Sequence, residues 1–258
     1  MNASFLLTAF LLSMLSLQAQ GTFEKHEYVA SNGLLLPYQM LEPVKDQKHY
    51  PLVIFLHGAG ERGGDNEAQM THGSSWFTST DALQNYPSYV IFPQCRAGSY
   101  WASADVDRSS YPVDLSFDYK QKSTTADLQA VMDLIQEMTA SFPIDDRRIY
   151  VMGLSMGGMG TFEIVHRMPR TFAAAIPICG GGDSGGYTRL ARKVPFWIFH
   201  GDADTVVDVT ESRDMVDALR KKKFKAIKYT EYPGVGHNSW DNAFAEPDLY
   251  YWMYDQER

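Results

Sequence analysis

The stretch Arg147-Arg148-Ile149-Tyr150-Val151-Met152-Gly153-Leu154-Ser155-Met156-Gly157-Gly158-Met159-Gly160 decides how the rest of the chain is read. Ile149 to Met152 form a short β-prone run. Gly153-Leu154-Ser155-Met156-Gly157 then fits the nucleophile-elbow pattern, in which a serine sits on a tight turn from a strand into a helix. The glycines have a steric role: two residues before and two after the serine, a side chain would collide with the neighbouring strand and helix. Met156 to His166 reads as a helix that Pro169 ends, which puts free N–H groups and the positive end of a helix dipole beside Ser155. A Gly-rich turn can hold a serine by chance, so the strand in front and the helix behind carry the reading.

Working outward, 258 residues fit one α/β domain, and the 45% hydrophobic and 21% charged residues are those of a globular chain. The net charge is −8 and the longest basic run is Lys221-Lys222-Lys223, a pattern that argues against nucleic acid or anionic lipid as a partner. Residues 1–20 carry no charged side chain, and Phe5 to Leu17 is too short to span a bilayer but suits the core of a signal peptide, with Ala19 near the cleavage point. Export to the periplasm or beyond is therefore expected, with a single catalytic domain over 21–258. No cysteine near the cleavage point offers a lipid anchor. Cys95 and Cys179 each end an expected strand, and those strand ends are not neighbours, which favours two buried free thiols over a bridge.

Phe23–Ala30 and Leu34–Leu41, joined through Ser31-Asn32-Gly33, predict an antiparallel hairpin. Leu52 to Leu56 is a continuous apolar run of the kind expected for a parallel strand covered on both faces. It ends in His57-Gly58-Ala59-Gly60, a turn whose Ala59 N–H is suited to meet a carbonyl oxygen under attack at an elbow serine. His57 is expected to tie down this loop, and Glu61-Arg62-Gly63-Gly64-Asp65-Asn66 to brace it by ion pairs rather than touch substrate. Tyr89 to Phe92 is the next strand. Arg96 to Lys120 shows no convincing periodicity and reads as a long functional loop rich in aromatic residues, among them Tyr100 and Trp101. Asp105, Asp107, Asp114 and Asp118 in it lack the spacing of a calcium loop, and no metal site is expected. Leu128, Val131, Met132, Ile135 and Met138 predict a helix over about 125–139. After the elbow come strands at Phe172–Cys179, Val194–Phe199 and Ala226–Tyr232, with a helix through Met215, Val216 and Leu219. The alternation predicts a doubly wound, mostly parallel sheet with helices on both faces.

Ser155, an acid in His200-Gly201-Asp202-Ala203-Asp204, and His237 in Gly234-Val235-Gly236-His237 follow the chain order Ser, Asp, His of a hydrolytic triad. The hydroxyl needs an imidazole to take its proton, and the imidazole needs a carboxylate to hold its tautomer. Asp204 is assigned as the acid and Asp202 as a loop carboxylate. These motifs, with Phe55 to Gly63, Pro93-Gln94-Cys95 and Pro233 to Trp240, resemble the α/β-hydrolase esterases. Within them the likeness is to secreted bacterial feruloyl-esterase-like and polyhydroxybutyrate-depolymerase-like enzymes, and it runs from about Tyr50 onward. The resemblance implies Asp204 as the acid, oxyanion donors at the N–H groups of Met156 and Ala59, an acyl-enzyme on Ser155 and no cofactor. The chain departs from the commoner pattern in Asp208, where proline is frequent, and in a longer insertion after Cys95. Trp101 in that insertion and Trp240 near His237 are the expected substrate contacts, and aryl or acetyl esters of plant polysaccharide fragments the expected substrates. A prolyl-oligopeptidase-like peptidase and a non-catalytic carbohydrate-binding protein on the same scaffold are the rival readings.

Overall fold

The computed structural model describes residues 21–258 except Lys225, with the backbone alone at Arg189. The expected leader over 1–20 lies outside the described residues. The strands are β1 (Phe23–Val29), β2 (Leu35–Leu41), β3 (Tyr50–Leu56), β4 (Tyr89–Pro93), β5 (Ala104–Asp107), β6 (Asp114–Phe117), β7 (Ile144–Leu154), β8 (Ala174–Ile178), β9 (Phe196–Gly201) and β10 (Ile227–Tyr232). The α-helices are α1 (Ser74–Phe77), α2 (Thr80–Asn85), α3 (Ala126–Ser141), α4 (Met156–Arg167), α5 (Val209–Lys221), α6 (Trp240–Phe244) and α7 (Leu249–Tyr254).

Eight strands form one sheet in the order β1-β2-β4-β3-β7-β8-β9-β10. The opening hairpin is antiparallel and β2 meets β4 antiparallel, while every pairing from β4 across to β10 is parallel. Residues of β3, β4, β8 and β9 are buried throughout, which is why those segments are continuous apolar runs rather than alternating ones. Alternation persists in where they point. Leu52, Ile54 and Leu56 of β3 join the layer that holds α3, α4 and α5, whereas Val53 and Phe55 join the layer with α1, α6 and α7. The expected doubly wound architecture is thus observed.

Strand order reverses at β3, since the chain leaves β3 for β4 on one side and leaves β7 for β8 on the other. The crevice at the carboxyl ends of β3 and β7 is therefore the topological switch point, where doubly wound sheets hold their ligands. Ser155 stands at the end of β7 and His57 at the end of β3.

The segment read as an aperiodic loop after Cys95 contains a two-stranded hairpin, β5 paired antiparallel with β6. Ala104 pairs with Phe117 and Val106 with Leu115, and these four face a small apolar cluster with Ala102, Val113, Met159 and Val207. Four-residue strands are too short for alternation to stand out in the sequence. Cys95 and Cys179 are both buried free thiols, as expected. Among the described residues, no helix is long and apolar enough to cross a membrane.

Candidate active site

The elbow is built by close backbone approach. A Cβ at Gly157 would lie 1.9 Å from the Leu56 carbonyl oxygen, and one at Gly153 would lie 2.4 Å from the Gly157 carbonyl oxygen. Both glycines are therefore required by contact between β3, β7 and the first turn of α4. Ser155 itself takes φ 53° and ψ −116°, a backbone state that non-glycine residues rarely occupy, and it sits immediately before α4.

His237 Nε2 is 2.9 Å from Ser155 Oγ, and His237 Nδ1 is 2.7 Å from Asp204 Oδ2. Asp204 Oδ1 accepts the N–H groups of Val206 at 2.8 Å and Val207 at 3.0 Å. Burial works against ionisation of Asp204, but hydrogen bonds from His200 and His237, with the charge of His237 and the Val206 N–H, outweigh it and hold the carboxyl well below the ordinary range. A carboxylate on Nδ1 keeps a proton at that nitrogen whenever the ring carries only one, and Nε2 can then accept from the serine hydroxyl. Asp202 instead accepts the Gly234 N–H at 2.6 Å and so ties the acid loop to the loop that carries His237.

His200 was read only as part of the acid motif, yet it is fully buried against that acid. Its Nε2 lies 3.2 Å from Asp204 Oδ2 and 3.0 Å from the Val207 carbonyl, and its Nδ1 lies 2.7 Å from Ser212 Oγ. Two imidazoles thus share one carboxylate oxygen; the His200 contact is made four residues apart within one turn, and α5 supplies Ser212 to the other ring nitrogen. His57 has the expected structural part. Its Nδ1 donates to the Gly58 carbonyl at 2.6 Å and its Nε2 accepts from Cys95 N–H at 3.0 Å, while burial lowers its pKa to about 4 and keeps the ring neutral.

Ser155 opens on a cleft of about 220 Å³ that Ala59, Met156 and Trp240 also line. Ala59 begins a short helical turn after Gly58, and a Cβ on Gly58 would come within 3.7 Å of Ser155 Cβ, so this loop lies directly against the serine. One side of the cleft is aliphatic, formed by Val106, Val113, Leu115, Met159, Val206 and Val207. The other holds Glu61, His72 and Trp240. Trp240 sits edge-on to His237, ring centres 5.5 Å apart, and lines the cleft.

Trp101 is a correction. Its side chain is wholly buried, its indole N–H donates to the His57 carbonyl at 3.0 Å, and a Cβ on Gly160 would lie 2.6 Å from its own Cβ. It props the His57 turn against α4 and does not line the cleft; what the insertion shows the serine is Val106, Val113 and Leu115, with Tyr100 and Arg108 at the edge. Glu61 is a second correction, because it faces the cleft, whereas Arg62 and Asp65 do brace the loop. Arg62 donates to the Ala59 carbonyl at 2.9 Å and the Ser99 carbonyl at 3.0 Å, and Asp65 accepts from Gln94 at 2.7 Å. Among the described residues, Cys179, Asp204 and His237 bring one potential metal-ligand atom each within 4.8 Å of one another. Two of these atoms already bond each other, and burial raises the pKa of the Cys179 thiol.

A family model described as phospholipase/carboxylesterase matches residues 42–247. The chain belongs to this phospholipase/carboxylesterase family. Within it the fold is that of the α/β-hydrolases, as the resemblance implied. The family member is similar to a bifunctional acetylxylan esterase/xylanase of Neocallimastix patriciarum, with 26% identity over 81% of this chain and 28% of that protein. It is similar to poly(3-hydroxyalkanoate) depolymerase C of Paucimonas lemoignei, with 29% identity over 72% of this chain and 45% of that one. The solved structure of a thermostable esterase matches with TM-score 0.82 and 34% identity, covering 92% of this chain and 63% of that chain. A ferulic acid esterase of Anaeromyces mucronatus shares the fold at TM-score 0.63 and 14% identity. This family chain thus spans less than half the length of the two curated relatives named.

Proposed function

We propose that the chain is a serine carboxylesterase that cleaves short-acyl esters, acetyl esters first, through an acyl-enzyme on Ser155. The reading rests on the hydrogen-bond chain from Asp204 through His237 to Ser155 at the mouth of a small cleft. Ser155 Oγ attacks the ester carbon as His237 Nε2 takes its proton. The carbonyl oxygen becomes negative and is met by the N–H groups of Ala59 and Met156; the ester C–O bond then breaks, and His237 returns the proton to the departing alcohol. Water repeats the sequence on the acyl-enzyme.

The acyl preference is argued from size and lining. A cleft of about 220 Å³ with an aliphatic side fits an acetyl or short alkyl group, and the ring that would have favoured a feruloyl group, Trp101, is buried elsewhere. Acetylated polysaccharide fragments, as for the acetylxylan esterase relative, are the substrates proposed, and export through residues 1–20 belongs to the same proposal. The test is Ser155→Ala against acetyl, feruloyl and long-chain acyl esters, together with labelling by an organophosphonate. The expected result is loss of hydrolysis and of the label in a folded protein. Wild-type turnover in the variant, or a wild-type preference for the long chain, overturns the proposal.

A further inference from the structure

We infer that Glu61 and Trp240 form the subsite for the alcohol half of the ester, and that this alcohol is an uncharged, hydroxyl-bearing ring of the sugar class. The inference rests on the proposed esterase reading and goes on to assign residues to the leaving group.

The two sides of the cleft differ in chemistry. The proton returned by His237 must go to the alcohol oxygen, so the alcohol leaves on the side where His237 stands. Trp240 meets the His237 ring edge-on, the His72 ring lies 5.0 Å from the Trp240 ring, and His72 Nε2 lies 3.8 Å from Glu61 Oε1. His237, Trp240, His72 and Glu61 are thereby one continuous surface, separate from the aliphatic cluster around Met159 that suits the acyl group.

Glu61 is the unexplained member. Its side chain is only 14% exposed, and Oε2 is buried without a hydrogen-bond partner. Oε2 points back along the loop, where a Cβ on Gly58 would lie 2.9 Å from it and 3.7 Å from Ser155 Cβ. A buried carboxylate without donors is costly, and native structures rarely leave one so. Arg62, next to it, is spent on the Ala59 and Ser99 carbonyls. Glu61 nonetheless lines the cleft, and its other oxygen, Oε1, 3.8 Å from His72 Nε2, is the one left to take donors from a ligand there. Ring hydroxyls are such donors, and a flat indole beside them offers its face to the C–H side of a sugar. A cationic alcohol would also meet a carboxylate, but the exposed Arg108 guanidinium lines the same cleft and opposes it.

The experiment compares a monoacetylated methyl xyloside with cyclohexyl acetate, whose alcohol has a similar ring and no further hydroxyl. In the wild type kcat/KM should favour the sugar ester. Glu61→Ala should lower the ratio of the two kcat/KM values tenfold or more, and Glu61→Gln, which keeps an acceptor oxygen, should retain most of it. A ratio cancels any loss of folded enzyme. An unchanged ratio in Glu61→Ala, or a wild-type preference for choline acetate, overturns the inference while leaving the esterase reading intact. A wild type that hydrolyses none of the three esters removes both.

Discussion

The loops that carry Ser155, Asp204 and His237 are held in a different way from the insertion that forms the aliphatic side of the cleft. The first set ends parallel strands and is locked backbone to backbone. A Cβ on Gly157 would strike the end of β3, and one on Gly201 would lie 2.2 Å from the Val235 carbonyl, so the elbow and the acid and histidine loops have no room to shift. The insertion is pinned at a few polar points. Asp127 accepts from Arg96 N–H at 3.1 Å, Glu163 accepts from Ser103 N–H at 2.6 Å, Asp183 accepts from Tyr119 N–H at 2.9 Å, and Val113 N–H donates to Val206 at 2.9 Å. The line of Ser155, His237 and Asp204 is thus built into the sheet, while the aliphatic side is held by side-chain acceptors and one backbone bond.

The sharpest way to break that contrast is at the acid. Asp204→Asn should cost about 10⁴ in kcat, the scale seen when a triad carboxylate is neutralised. Asp202→Asn, two residues away, keeps an oxygen that can still accept the Gly234 N–H and should cost far less. Equal losses in steady-state kinetics would mean that the loop, rather than its carboxylate, is what matters.

At the insertion, Glu163→Gln replaces a buried carboxylate that accepts from Ser103 and from Arg167, whose Nη2 lies 2.8 Å away. One of these donors then faces an amide N–H, and the expected loss is about 1–3 kcal/mol in denaturant unfolding. Faster proteolysis within β5–β6 should accompany it, and protection equal to wild type would show that the anchor is dispensable.

Met159→Ala opens the aliphatic side and should raise the butyryl-to-acetyl ratio of kcat/KM by roughly tenfold, the scale at which a hydrophobic pocket distinguishes alkyl groups differing by a methylene or two. No change in the ratio would place the acyl group elsewhere.

The smallest effect concerns the seam between the two regions. Glu211, in the first turn of α5, has its pKa pushed up from 4.5 to about 7, chiefly by burial and then by Asp214, Asp208 and Asp114 of β6. An acid with a raised folded pKa holds its proton more tightly when folded, so stability falls as pH rises between about 4.5 and 7. Glu211→Gln lacks this dependence. Its Tm relative to wild type should therefore be higher at pH 8 than at pH 5, and a constant offset would exclude the effect.

Local chemistry made the sheet and the candidate line of Ser155, Asp204 and His237 readable from the residues alone. Continuous five-residue apolar runs between turn signals fit strands covered on both faces, glycines two residues either side of a serine fit a tight crossing when a strand precedes and a helix follows, and strand-end motifs in Ser, Asp, His order place three side chains on one edge. The tertiary structure decided what lay beyond the reach of local pattern. Short strands such as β5 and β6 gain their alternation from the apolar cluster they cover. The fate of Trp101 depended on whether α4 offered a glycine to receive it. Glu61 and Arg62, adjacent and both charged, were alike in sequence until the backbone turned one into the cleft and the other along the loop. His200, four residues before Asp204, gained Ser212 on its second ring nitrogen only when α5 closed over β9. Period and spacing say which way a side chain faces within its own element, whereas what it meets there is supplied by segments distant in the chain.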